Sequence, residues 1–345
     1  MISPPPVRTR SGLAYTRAVA RRTASIHARL RDVVPEIEWH VHAPLIDRIN
    51  ALKRERRAVI LAHNYMTPEI FHGVADLKGD SLALARQAAE TDAEVIVLCG
   101  VHFMAETAKL LNPDRLVLIP DPLAGCSLAA SITPEDVRAL RRAHPGAPVV
   151  TYVNTSAAVK AECDVCCTSA NALDVVESLG ADEVIFIPDE YLARHVQSRT
   201  DVRLVLWQGH CEVHERFAPA DFVPFRAQYP GLQVVAHPEC PPDVLEAADF
   251  VGSTAGMIDH VRRERPEHVL LVTECSMSDN VAVELPDVHF VRPCNLCPHM
   301  KRITLPKILA SLESLRFTVE VPPDVAARAR RAVERMLEVG RGPKG

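Results

Sequence analysis

Three times along the chain a short aliphatic run stops at polar, chemically active residues. Ala58–Ala62 is followed by His63-Asn64-Tyr65, Val149–Thr151 by Tyr152-Val153-Asn154, and Val234–Ala236 by His237-Pro238-Glu239. Runs this short and this apolar predict strands buried on both faces of a parallel sheet, with polar residues at their carboxyl ends. Downstream of each run lies a second shared pattern: ADLKGDS at Ala75–Ser81, CDVCCTS at Cys163–Ser169 and ADFVGST at Ala248–Thr254. Each places a hydroxyl five residues after an Asp, and a helix-period segment such as Leu82–Ala89 follows. Ser81, Ser169 and Thr254 are therefore expected to be helix N-caps.

The pattern continues with a second strand in each unit, over Glu94–Cys99, Glu183–Ile187 and His268–Val272. A third follows, over Leu116–Ile119, Val202–Trp207 and Val288–Arg292. Just past each third strand stands a cysteine: Cys126, Cys211, and Cys297 with Cys294 as the alternative. Cys126 and Cys211 are 85 positions apart, and Cys211 and Cys297 are 86 apart. The hydroxyls keep a similar period, which marks an internal repeat.

The fold expected is α/β, with three homologous three-layer α/β/α units whose parallel sheets surround a pseudo-threefold axis. The units span 49–147, 148–231 and 232–317. An N-terminal extension with a helix (1–48) precedes them, and a closing helix (318–345) follows. Residues 1–32 hold seven arginines and one acid. A transit peptide shares that composition, but an N-terminal extension with a helix around Tyr15–Val33 is the plainer reading.

Composition narrows the function. A net charge of -5 and pI near 6.3 call for neither nucleic acid nor an anionic membrane as partner. No apolar run reaches the roughly 18 residues a bilayer span needs, and residues 1–30 lack the apolar core of a secretory signal, so a cytoplasmic enzyme is expected. Without that signal the ten cysteines are expected to be reduced, serving metal, catalysis or packing rather than disulfides.

Ligands of open α/β sheets bind beyond the carboxyl ends of the strands. Three such ends around one axis would bring Cys126, Cys211 and Cys297 together. Three thiolates suit zinc with an open position or a 4Fe–4S cluster with one free iron. Reduced structural thiols are the third possibility, and spacing does not choose among them. Residues two apart on a strand share a face, so His63 pairs with Tyr65, Tyr152 with Asn154 and His237 with Glu239. Helix N-termini near the hydroxyls would favour an anionic substrate.

Longer strings then carry a resemblance. His63-Asn64-Tyr65, Phe103–Lys109, Asp121–Leu128, Tyr152–Ser156, Cys167–Ala172, Trp207–His214, His237-Pro238-Glu239, Gly252-Ser253-Thr254 and Cys297–Lys301 resemble quinolinate synthase of the bacterial iron–sulfur type, over about residues 55–317. The resemblance implies one 4Fe–4S cluster on Cys126, Cys211 and Cys297, its open iron acting as a Lewis acid. It implies condensation of iminoaspartate with dihydroxyacetone phosphate to quinolinate, releasing phosphate and water, in de novo NAD synthesis. An aspartate-oxidising enzyme would supply the imine. The substrate-binding positions carried over are His63, Ser81, Tyr152, Asn154, Ser169, His237, Glu239 and Thr254.

Chemistry adds roles. Glu239 is the expected base, its carboxylate tuned toward neutrality by burial. His63, Tyr65 and His237 are the expected proton donors and oxygen ligands, and His214, three residues after Cys211, is expected to orient substrate or the metal shell. Some relatives carry a further cysteine where this chain has Val291, so a redox role built on it does not transfer. Cys163, Cys166, Cys167, Cys240 and Cys275 gain no role. The rival readings are a three-cysteine iron–sulfur hydro-lyase and a non-enzymatic cluster or zinc protein.

Overall fold

The computed structural model describes residues 12–339. Its twelve named strands form three parallel sheets of four. The first contains β1 (Ala58–His63), β2 (Leu77–Gly79), β3 (Val95–Cys99) and β4 (Leu116–Leu118), in the order β2-β1-β3-β4. The second contains β5 (Val149–Tyr152), β6 (Val165–Cys167), β7 (Glu183–Ile187) and β8 (Arg203–Leu206). The third contains β9 (Gln233–Ala236), β10 (Phe250–Val251), β11 (His268–Val272) and β12 (His289–Val291). Both repeat the first order, β6-β5-β7-β8 and β10-β9-β11-β12. Each first aliphatic run is thus a central strand, and Ile60, Val150 and Val234 are fully buried.

The repeat holds one strand more than the hydrophobic pattern predicts. The edge strands β2, β6 and β10 fall inside the segments read as helix starts. They are two or three residues long, too short for a period to show, and Leu77-Lys78-Gly79 is not even apolar. The Asp opening each segment has a shared job. Asp76, Asp164 and Asp249 accept the N–H of Ile60, Val149 and Val234 at 2.9, 2.7 and 2.8 Å, tying the incoming edge strand to its central neighbour. Each also pairs with a base 23 positions earlier: Lys53, Arg141 and Arg226, at 2.7, 2.7 and 3.0 Å. This basic–acidic spacing is a further threefold marker, written in charge rather than hydrophobicity.

Flanking helices complete the layers. The helix Glu36–Glu55 buries Trp39, Ile46 and Ile49 and packs against the helix Leu305–Ser314 beside the first sheet. The chain then returns along the edge of that sheet, where the Val319 N–H donates to Val117. The last helix, Pro323–Glu338, packs on β6 and on the helices Ala157–Lys160 and His102–Leu111, joining the first two units. The segment expected as one helix around Tyr15–Val33 is two short ones, Arg17–Arg22 and Ala24–Leu30, divided at Thr23. The beginning of the possible transit segment lies outside the described residues. Among the described residues no helix is long and apolar enough to cross a membrane.

Candidate active site

The carboxyl ends of β1, β5 and β9 open onto one cavity. The first unit contributes His63, Tyr65, Ser81 and Cys126, the second Tyr152, Asn154, Ser169, Cys211 and His214, and the third His237, Glu239, Thr254 and Cys297. Every residue expected in the site, apart from the alternative Cys294, lines this one space.

The hydroxyls reach it by a different route from the one expected. Ser81 and Thr254 are first helical residues, not caps. Asp80 caps the helix Ser81–Glu90 by accepting the Ala83 N–H at 2.8 Å, and Ser253 caps Thr254–Glu264 by accepting the Gly256 N–H at 3.2 Å. Ser169 stands upstream of Asn171, the residue that precedes the helix Ala172–Ser178. At Ser81 and Thr254 the capping neighbour leaves the side chain free for other partners. The Ser169 hydroxyl lies 3.2 Å from Nε2 of His237, and Thr254 accepts from Nδ2 of Asn64 at 3.0 Å.

The three cysteines share one local geometry. Each opens a single helical turn: Ser127–Ala130, His214–Arg216 and Met300–Arg302. The Met300 N–H donates to the Cys297 sulfur at 3.5 Å, and beside each sulfur the N–H groups two and three residues on, of Leu128 and Ala129, Val213 and His214, and His299 and Met300, act to lower its pKa. That arrangement favours the thiolate. Burial opposes it, pushing Cys126 up to about 12 and raising Cys211 and Cys297. Three half-buried cysteines with N–H groups beside their sulfurs, facing one cavity, are a donor set suited to a cationic centre.

Cys294 is excluded from that set, because its sulfur is bonded to Cys275 across a Cα–Cα distance of 5.0 Å. The expectation of uniformly reduced cysteines is thereby corrected. The two lie 19 residues apart in sequence but side by side in space, since the Cys275 N–H donates to the Asn295 carbonyl. Cys99, Cys166, Cys167 and Cys240 are free and buried, and Cys163 is free and half-buried.

A buried hydrogen-bonded chain crosses the cavity wall. The Tyr65 phenol lies 2.6 Å from Oγ1 of Thr273, which lies 2.9 Å from Nε2 of His214. On the other side of the ring, Nδ1 of His214 stands 2.9 Å from Oε2 of Glu239, although that contact is not aligned as a hydrogen bond. Tyr152 donates its phenol to Oε1 of the same carboxylate. His63 and His237 behave alike: Nδ1 of each accepts an N–H from the residue two further on, Tyr65 at 3.2 Å and Glu239 at 3.3 Å. Each therefore carries its proton on Nε2. Burial, only partly offset by Glu239, lowers His63 to about 4 and His237 to about 3, so both rings are neutral near pH 7.

Glu239 departs from expectation. Burial does push its carboxyl up, but His214, His237 and the Tyr152 hydrogen bond outweigh it and hold the group well below the usual carboxylate range. It is a fixed anion rather than a carboxylate poised near neutrality.

Thr273, Glu274 and Lys301 were not singled out from the sequence. Thr273 and Glu274 follow β11 directly, as His237 follows β9, so position past a strand end was the available signal. Glu274 accepts from Lys301 at 2.8 Å and from the Cys297 N–H at 3.3 Å, while Lys301 also donates to the Tyr65 carbonyl at 2.8 Å. The Cys297 loop is thereby fastened to the tyrosine.

Comparison with known proteins bears on what this site does. The family described as "Quinolinate synthetase A protein" matches residues 47–338. "Quinolinate synthase 1" of Mesorhizobium japonicum is 66% identical over 322 residues, covering 93% of this chain and 99% of that relative. "Quinolinate synthase" of Agrobacterium fabrum is 65% identical over 316 residues, 92% of each chain. That of Xylella fastidiosa is 66% identical over 294 residues, 85% of this chain and 87% of the relative.

Proposed function

Since the chain belongs to the quinolinate synthetase A protein family, an enzyme family, we propose that it condenses iminoaspartate with dihydroxyacetone phosphate to quinolinate, releasing phosphate and water, as a cytoplasmic step toward NAD. An enzyme that oxidises aspartate would supply the imine. The carrying observation is the threefold cysteine motif: three sulfurs, each at the start of a helical turn, lining one cavity with the polar strand ends.

Cys126, Cys211 and Cys297 would hold a 4Fe–4S cluster. When bound, its one iron without a protein thiolate supplies Lewis acidity toward a substrate oxygen.

The chain's own residues do the rest. Ser81, Ser169, Thr254 and Asn154 offer donors to a substrate bearing carboxylates and a phosphate. The Nε2–H groups of His63 and His237 donate without adding positive charge. Ring formation needs a proton taken from carbon beside a carbonyl and protons given to departing oxygens. Tyr65 faces the cavity, and a proton can pass between its phenol and Nε2 of His214 through the Thr273 hydroxyl. Anionic Glu239 favours a proton on Nδ1 of His214, leaving Nε2 as the acceptor. Tyr152 holds Glu239 in place from its other oxygen.

The test uses protein purified without oxygen, with iminoaspartate generated in place and dihydroxyacetone phosphate added. Quinolinate and phosphate should form in equal amounts, and the protein should be brown and contain iron. A colourless, iron-free protein that makes no quinolinate after iron and sulfide are supplied would overturn the reading.

A further inference from the structure

We propose that Cys211, His214 and Glu239 also form a site for one tetrahedral divalent cation of the zinc type, incompatible with the three-cysteine centre because both require Cys211. The donor atoms of these three residues lie within 4.8 Å of one another. One thiolate, one imidazole and one carboxylate, with a fourth position open to the cavity, is a donor set that zinc accepts.

Two independent observations point to a ligand. The first is Nδ1 of His214. Its side chain is only 2% exposed, and Nδ1 faces Oε2 of Glu239 at 2.9 Å without an aligned hydrogen bond. Two buried donors that face each other this closely without an aligned hydrogen bond are placed as neighbouring ligands of one cation are.

The second is the outer shell, which is already built. Nε2 of His214 rests 2.9 Å from the Thr273 hydroxyl. The far oxygen of Glu239 accepts from Tyr152. The imidazole and the carboxylate are thus both held from their far sides, as metal ligands are, and the N–H groups of Val213 and His214 favour the Cys211 thiolate.

A cation here removes His214 and Glu239 from the proton path and Cys211 from the cysteine trio. It would block turnover and the loading of iron together. This goes beyond the proposed reaction and does not depend on which substrates are used.

The experiment uses the full chain, reduced, stripped of metal by a chelator without oxygen, and titrated with cobalt(II) as a coloured stand-in for zinc. One equivalent should bind, with the thiolate-to-cobalt absorption of a single sulfur, and zinc should displace it. Cys211→Ser and His214→Ala should each weaken binding by about 100-fold or more. Thr273→Val, which keeps every ligand, should weaken it by about tenfold. Cys126→Ser and Cys297→Ser should stay within about threefold of the unmodified chain.

If Cys126→Ser and Cys297→Ser lose cobalt as fully as Cys211→Ser does, the cation sits among the three sulfurs and the proposal fails. It fails equally if the reduced unmodified chain binds no cobalt. Because binding is read without turnover, either failure leaves the quinolinate reading standing.

Discussion

Oγ1 of Thr273 lies 2.9 Å from Nε2 of His214, bridging a histidine of the second unit to Tyr65 of the first, 2.6 Å away on its other side. The bridge makes three side chains from three units into one proton path. Thr273→Val keeps the shape and removes the hydroxyl. Turnover should fall about 10²–10⁴-fold with KM little changed, and Thr273→Ser should restore most of it. Full-speed turnover by Thr273→Val would show that protons take another route.

Glu239 acts on the same path from the far side of the imidazole. Glu239→Gln preserves volume but removes the anion and can present an amide N–H to Nδ1, forcing the opposite tautomer. A similar loss, about 10²–10⁴-fold, is expected with iron content unchanged. If the variant turns over normally, the carboxylate is not what orients His214.

The cysteines divide into those facing the cavity and those that do not. Cys126→Ser, Cys211→Ser and Cys297→Ser should each abolish iron binding in protein purified without oxygen, read by metal analysis and visible spectrum. Cys294→Ser and Cys275→Ser should retain it, since those sulfurs are joined to each other. Iron retained by Cys297→Ser and lost by Cys294→Ser would reverse the choice within the Cys294-x-x-Cys297 pair.

Much of this arrangement was legible because evolution left it in triplicate. One period in the cysteines and another in the hydroxyls gave three units, and the apolar runs gave the central strands. Strands such as Phe250–Val251 were invisible, since two residues display no period. The capping assignment failed by one residue at Ser81 and Thr254, because ADLKGDS and ADFVGST each offer two adjacent residues able to cap. Thr273 had only its place just past a strand end to mark it, because its contacts with Tyr65 and His214 come from other units. The Cys275–Cys294 bond was hidden for the same reason, being a meeting of two separate loops.

Acid should destabilise the fold through buried histidines. Burial lowers both His63 and His72 from 6.5 to about 4. Well above pH 6.5 each is neutral whether the chain is folded or not. As pH falls below 6.5 the unfolded chain takes up protons first, so stability drops until about pH 4, by on the order of 3 kcal/mol for each group. Urea midpoints between pH 7 and 5, above the range where most carboxylates titrate, should decline. His72→Gln should flatten that decline; an unchanged slope would assign it to other groups.

Neighbouring residues at two helix starts separate holding the fold from holding the substrate. Ser253 caps its helix through the Gly256 N–H and is not among the residues lining the cavity, whereas Ser81 lines the cavity while Asp80 does the capping beside it. Ser253→Ala should therefore cost roughly 0.5–2 kcal/mol of stability and leave KM within about twofold once the protein is folded. Ser81→Ala should do the reverse. Its stability should stay within about 0.5 kcal/mol, while loss of a donor to an anionic substrate, worth about 1.5–3 kcal/mol for a hydrogen bond to a charged group, should raise KM by roughly tenfold or more. Denaturant midpoints and saturation curves on the two variants give both quantities. Should Ser81→Ala lower stability and leave KM alone, the cavity-facing hydroxyls are parts of the scaffold, and the anions must be held by the histidines and Asn154.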